Sequence, residues 1–319
     1  MSQPYVSVLV TVYNHRDYIE ECLRSIAMQK TTFPIEVIVG DDCSPDGTQD
    51  VLRKLEEELP SFFNIICREK NIGSLRNGED LYDRAQGKYL VDFEGDDFML
   101  YDGLLQEEVA FLDSHPDYSA VYTNCIVVGK DSQPLKEGYP ECKDSDYSYR
   151  EYFLSCLPGH NGSRMSLRED YINARAKFLS MKEFESYPGD RRNAFLFLTM
   201  GKVRCIQEPW VAYRHIRKGG SSYSATLKKD KSFALNEVGF GRTLVSYALI
   251  TGDKEAISTA KQTCYRMRFR WCHGKSKVEN LGDILRDISK EDRKLLMVTA
   301  PLRWYAVLIS RLLRGRAIV

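Results

Sequence analysis

Two acidic turns are the residues best suited to chemistry. Glu94-Gly95-Asp96-Asp97 follows the apolar run Lys88 to Phe93, and Asp41-Asp42-Cys43-Ser44 follows Ile35 to Gly40. Carboxylates crowded at the end of a strand repel one another, so they need a cation, donors or solvent to stay ionised together. A hard divalent ion with oxygen ligands, bridging to a substrate phosphate, relieves that repulsion, and Asp96 and Asp97 with Glu94 are the candidates to hold it. Either turn could instead cap the helix that follows it. A second candidate cluster is Tyr213-Arg214-His215-Ile216-Arg217-Lys218-Gly219-Gly220-Ser221-Ser222. Its cationic and imidazole groups beside two glycines suit a loop closing over a diphosphate, with His215 as a metal or phosphate ligand.

The elements that must position these residues alternate. Strands are expected at Val6 to Val12, Ile35 to Gly40, Asn64 to Cys67 and Lys88 to Phe93, with helices at Asp17 to Gln29, Thr48 to Leu59 and near Gly78 to Ala85. That order predicts a parallel α/β sheet, whose ligands sit beyond the carboxyl ends of the strands. Residues 98 to 215 read as mixed, with strands at Ala120 to Val128 and near Val203 to Ile206. Beyond Gly219-Gly220-Ser221-Ser222 the chain turns helical and basic.

The 319 residues carry 45 Lys and Arg against 45 Asp and Glu, so no overall basic excess points to nucleic acid. The balance conceals a gradient. Residues 1 to 110 hold 10 basic and 22 acidic side chains, whereas residues 211 to 319 hold 22 and 9. Two ends of opposite charge face different partners. The last stretch, 295 to 319, carries Arg303, Arg311, Arg314 and Arg316 with no acidic residue, and on a helix Arg303, Arg311 and Arg314 fall opposite Tyr305, Leu308, Ile309, Leu312 and Leu313. That pattern suits a helix in an anionic membrane interface, or one docked on the rest of the protein with a basic face outward. Nine scattered cysteines without a Cys-x-x-Cys pair predict reduced thiols, and the poorly spaced Cys264, Cys272 and His273 do not suggest a metal. The first residues read as a core strand and not a signal peptide, and no run is apolar enough to span a bilayer.

Five motifs in order carry a resemblance: Val6-Ser-Val-Leu-Val-Thr-Val-Tyr-Asn14, Glu36-Val-Ile-Val-Gly-Asp-Asp-Cys-Ser-Pro-Asp-Gly-Thr48, Asn71-Ile-Gly with Arg76-Asn77, Ala85-Gln-Gly-Lys-Tyr-Leu90, and Glu94-Gly-Asp-Asp97. Together the series closely resembles family-2 glycosyltransferases of the GT-A fold, strongly over the first hundred residues and more weakly to about residue 222. The resemblance implies a GT-A α/β fold, a Rossmann-like mixed sheet flanked by helices. It places a catalytic domain at 1–222 (nucleotide-sugar binding in 1–100, the acceptor side in 101–222), leaving a helical basic region at 223–319. It implies that Thr11, Tyr13, Asp41 and Asp42 hold the base and ribose, that a carboxylate accepts the uracil N3 proton so that the donor is a UDP-sugar, and that Arg76 and Asp96 lie by the nucleotide. Asp97, Glu94 and His215 are then the groups for Mn²⁺ or Mg²⁺, with Glu94 standing where the family has Asp. Asp190, in Gly189-Asp190 ahead of an apolar helix, matches the position of the catalytic base, although an Asp there is also an ordinary helix cap. Gly159 to Met165, with His160, matches the acceptor-site wall.

The activity implied is inverting transfer from a nucleotide-sugar to a glycan or lipid-linked glycan in bacterial surface polysaccharide synthesis. The expected location is the cytoplasm, peripherally on the cytoplasmic membrane face. Two other readings exist. A sugar-phosphate nucleotidylyltransferase would carry a Gly-rich loop where this chain has Tyr13-Asn14-His15-Arg16. A degenerate binding or assembly protein would not need Asp96, Asp97 and Asp190.

Overall fold

The computed structural model describes residues 3–136, 138, 145–216 and 230–288. The chain forms two compact units, Met1–Asn173 with Asn193–Thr226, and Ala174–Arg192 with Leu227–Val319. Residues 174–192, which hold Asp190, thus group with the C-terminal residues, whereas the sequence reading put them with the first 222.

In the first unit, β1 (Val6–Val12), β2 (Ile35–Asp41), β3 (Phe63–Cys67) and β4 (Tyr89–Glu94) alternate with α1 (Ile19–Ala27), α2 (Thr48–Glu58) and α3 (Ser74–Arg84). β1 pairs in parallel with β2 on one side and β4 on the other, and β2 with β3. Val6, Val8, Val10 and Val12 are all buried, and they pack in one core with Ile19, Leu23 and Ile26 of α1. β-branched residues buried in this way favour strand over helix. Because β2 and β4 leave β1 in opposite directions, a crevice opens at its carboxyl end, where ligands bind in open α/β sheets.

The sheet continues through β5 (Phe98–Met99), β6 (Tyr118–Val128), β7 (Asp146–Tyr147), β8 (Arg164–Leu167) and β9 (Lys202–Arg214), with α4 (Leu104–Ser114), α5 (Tyr149–Phe153), α6 (Arg168–Leu179) and α7 (Gly189–Met200) between them. Among the described residues its nine strands run β3-β2-β1-β4-β8-β6-β9-β5, with β7 on β9. β8 is antiparallel to both β4 and β6, so the sheet is mixed. β9 is far longer than the expected Val203 to Ile206. Pro209 lacks a ladder donor, but it falls where β6 and β9 shift register, between Thr123 and Cys125, and a bulge accommodates it.

The second unit contains α8 (Lys231–Thr251), α9 (Lys254–Arg270) and α10 (Leu281–Asp287). Phe178, Phe184, Phe240 and Tyr247 form an aromatic cluster there, with ring centroids 5.6 to 6.3 Å apart. Among the described residues seven cysteines are free and Cys205 is disulfide-bonded, which corrects the expectation of reduced thiols throughout. Among the described residues no helix is long and apolar enough to cross a membrane. Residues 295 to 319, the expected interfacial helix, lie outside them.

Candidate active site

The acidic turn sits at the end of β4, beside the crevice. Gly95 donates its N–H to the carbonyl of Thr11 (3.0 Å), and Asp97 donates back to the carbonyl of Glu94 (3.1 Å), which closes the turn. A Cβ at position 95 would lie 2.9 Å from His15 Nδ1 and 3.0 Å from both Ile19 Cδ1 and Val12 Cγ2, so only glycine fits. From the other side Arg214, the last residue of β9, clamps the turn. Its backbone N–H donates to Asp97 Oδ1 (2.8 Å) and its Nε to the carbonyl of Asp96 (2.8 Å). The buried guanidinium also donates to Gly129 O and to Glu21 Oε2, and stacks over Tyr18. Arg214 was expected in a diphosphate loop. It is instead a strand residue whose cation is spent inside the protein, and Arg217 and Lys218 lie outside the described residues.

Glu94, Asp96 and Asp97 bring one carboxylate oxygen each to within 4.8 Å of one another. Asp97 is 1% exposed, and Asp97 Oδ2 and Asp96 Oδ1 are buried with no hydrogen-bond donor among the described residues. Burial, then the negative charges of Asp96 and Glu94, push the Asp97 carboxyl well above its ordinary 3.8, against the opposing N–H of Arg214. Two orphaned buried oxygens beside a third carboxylate are the donor set that a divalent cation satisfies. The residues therefore fit such an ion.

Two imidazoles border the cluster. His15 Nε2 is 3.8 Å from Asp96 Oδ1 and His160 Nε2 is 3.7 Å from Asp97 Oδ2. Burial lowers both rings from their ordinary 6.5, in His160 to about 4. His160 is therefore neutral at pH 7. Its Nδ1 accepts from Gly162 N (3.2 Å), so the proton sits on Nε2, facing Asp97. The ring also lies against Tyr213 at 4.4 Å. His15 received no role in the sequence reading, and the only signal available was its place just after β1.

The Asp41-Asp42 turn is also buried, but its oxygens are occupied. Asp41 accepts from Ser44 N, Ser44 Oγ and Gln49 Nε2. Asp42 accepts from Ile72 N (2.7 Å) and Gly73 N (2.9 Å), while Asn71 Nδ2 donates to the Asp42 carbonyl. The Asn71-Ile72-Gly73 motif is thus a loop wrapped on one carboxylate, and Gly73 supplies the positive φ of 89° that lets the chain turn into α3. Within Arg76-Asn77 the roles divide. Asn77 is buried, donating to Gly40 O and accepting from Arg68, whereas Arg76 is exposed with no ion pair among the described residues. Thr11 is used for Gly95, and Tyr13 is 40% exposed at the mouth of the crevice.

Asp190 lies inside the first turn of α7, which begins at Gly189, so it is not the residue ahead of the helix. His215 donates its backbone N–H to Val128 O and has its ring near Tyr213, and it does not belong to the carboxylate cluster.

Residues 7–164 match the family model for glycosyl transferase family 2. The chain belongs to this family. An uncharacterized protein of Mycobacterium tuberculosis is 36% identical over 135 residues, which is 42% of this chain and 39% of that protein, so this family member spans about two-fifths of the relative's length. A Bacillus subtilis protein named for teichuronic acid biosynthesis is 26% identical over 68% of the chain and 90% of its own length. A Campylobacter jejuni protein named GalNAc(5)-diNAcBac-PP-undecaprenol beta-1,3-glucosyltransferase is 24% identical over 82% and 79%. Staphylococcus aureus TarS residues 1-349, solved with UDP-GlcNAc, superposes with a TM-score of 0.58 at 18% identity, covering 97% of this chain and 85% of that one. The fold of this family member is therefore the GT-A fold that the sequence motifs implied.

Proposed function

We propose that this protein is a metal-dependent inverting glycosyltransferase that moves a sugar from a UDP-sugar to a glycan or lipid-linked glycan during assembly of a bacterial surface polysaccharide. The observation that carries this reading is the convergence of Glu94, Asp96 and Asp97, with two buried oxygens unsatisfied, at the crevice beyond β1 and β4. Relatives named for teichuronic acid synthesis and for transfer to a PP-undecaprenol-linked glycan support the acceptor class.

Each residue then has a task. Asp96 and Asp97, with Glu94, would hold Mn²⁺ or Mg²⁺, which supplies Lewis-acid stabilisation to a departing diphosphate. His160 keeps a neutral N–H toward Asp97, so it steadies that carboxylate without adding positive charge to the site. Tyr13 and Arg76 present a ring and a free guanidinium to the nucleotide, and Asp41 and Asp42 shape the loops around it. The acceptor hydroxyl oxygen attacks the anomeric carbon as the bond to the diphosphate oxygen breaks, and Asp190 takes the hydroxyl proton. The charged tail, 295 to 319, would bring the enzyme to an anionic membrane face. Equal sedimentation with anionic liposomes by the full chain and a chain ending at 294 would remove that role.

The decisive experiment is UDP release from a panel of UDP-sugars with Mn²⁺ or Mg²⁺, comparing the wild type with Asp97→Asn and Asp190→Asn. The expected result is release by the wild type that chelator abolishes and both substitutions cripple. If no donor is turned over, and UDP binding ignores the metal, the reading fails.

A further inference from the structure

The second unit contains a cavity of about 630 Å³ between the stretch Glu183 to Glu185 and the first turns of α8. We infer that this cavity binds neutral sugar residues of the acceptor, away from the reacting hydroxyl. The inference rests on the glycosyltransferase reading and extends it by naming where the acceptor's non-reacting part is held.

Shape, lining and charge point the same way. The volume falls within the roughly 300–1,000 Å³ typical of small-ligand sites, which leaves room for more than one pyranose ring. Phe184, Leu235 and Val238 supply an apolar wall, and Lys231, Glu185 and Asn236 supply polar groups. A sugar ring has the same two-sided character, with C–H faces and a rim of hydroxyls. The walls are fixed before any ligand arrives. Asn236 Oδ1 accepts from Glu185 N (2.7 Å) and Ser186 N (3.3 Å), which leaves its amide NH₂ as a donor. Glu183 lies against Gly239 so closely that a Cβ there would come within 1.9 Å of the Glu183 carbonyl oxygen.

Charge separates neutral from anionic occupants. Arg242 borders the cavity but is paired with both Glu183 and Glu279. Lys231 and Glu185 then offset one another. Among the described residues the lining holds no surplus cation, so it does not attract a polyphosphate chain or an anionic headgroup, whereas it suits uncharged hydroxyl and acetamido groups.

The wall of the cavity also leads to the candidate base. From Glu185 the chain runs through Tyr187, whose ring stacks on Phe240 at 4.2 Å, into Gly189 and Asp190 of α7. A saccharide seated here is held on the same segment of the second unit that carries Asp190, the candidate base.

Saturation-transfer NMR on the full chain tests this with cellobiose, N,N′-diacetylchitobiose and glycerol 3-phosphate as probes. Leu235→Asp and Ser232→Trp alter exposed positions of the wall, and circular dichroism verifies their folding. The expected result is transfer to at least one neutral disaccharide, weakened about tenfold or more by both substitutions and unchanged in Asp97→Asn. Binding of neither disaccharide, indifference to both wall substitutions, or preference for glycerol 3-phosphate would overturn the inference. Failure of the activity reading looks different: disaccharide binding would respond to the wall variants while no UDP-sugar is turned over.

Discussion

The two acidic turns of the first unit invite comparison, since both end a parallel strand, both pair adjacent aspartates and both are buried. At Asp41-Asp42 five protein donors converge on the two carboxylates, and the loops after β2 and β3 are built on them. At Asp96-Asp97 the described residues supply one backbone N–H to a side-chain oxygen and leave two others without donors. A buried carboxylate that is fully hydrogen-bonded holds a fold together, whereas one left short of donors costs stability unless something else binds it. The difference teaches that the first turn is a scaffold, whereas the second keeps carboxylate oxygens open to a further partner. It also separates two arginines, because Arg214 is consumed in holding the second turn while Arg76 is exposed with no ion pair among the described residues.

Asp97→Asn offers the sharpest way to break this comparison. Removing the charge should lower transfer by about a thousandfold, of the order seen when one electrostatic group is lost from an active site. Metal-free thermal stability should hold or rise, because the substitution removes a charge that burial and Asp96 disfavour. A large drop in melting temperature would make this turn a scaffold too. Asp42→Ala should do the opposite, stranding Ile72 N and leaving Gly73 N only its bond to Asn71 Oδ1, at a cost of about 2 kcal/mol, read by chemical denaturation. Unchanged stability would remove the scaffold role.

Glu108 extends the comparison to a third buried carboxylate. Both of its oxygens lack donors among the described residues, and burial raises it well above its ordinary 4.5 despite the opposing charge of Arg164. An acid raised in the native state binds more protons folded than unfolded, so its contribution is present at low pH and is lost as pH climbs past 4.5. Glu108→Gln should therefore stabilise the protein by about 1 kcal/mol at pH 8 and by little at pH 4, as denaturation at the two pH values would record. The smallest effect is expected from Arg76→Ala, with an unchanged melting temperature and a donor KM raised about tenfold. An unchanged KM would remove Arg76 from the nucleotide site.

Much of this was legible in the residues. β-branched runs, glycines and acidic strand ends are local signals, so β1 came out as Val6 to Val12 in both readings, and the other three parallel strands and the helix Thr48 to Glu58 agreed to within one residue at each end. The helix expected near Gly78 begins four residues earlier, at Ser74, because the wrapped loop on Asp42 delivers the chain there. The length of β9 was not legible. Pro209 reads locally as a break, and only the bulge against β6 shows how a strand passes through it.

The sequence by itself determined the alternating fold, its family and the carboxylates at the sheet's mouth, since strand period, turn chemistry and charge crowding are properties of neighbours in the chain. Tertiary structure alone decided which carboxylates are satisfied, that Arg214 faces inward and that His15 and His160 flank the acidic turn. Those facts depend on donors brought together from β1, β4, β9 and the loop before β8, and a pair such as Asp97 and Arg214 meets only once the sheet has formed.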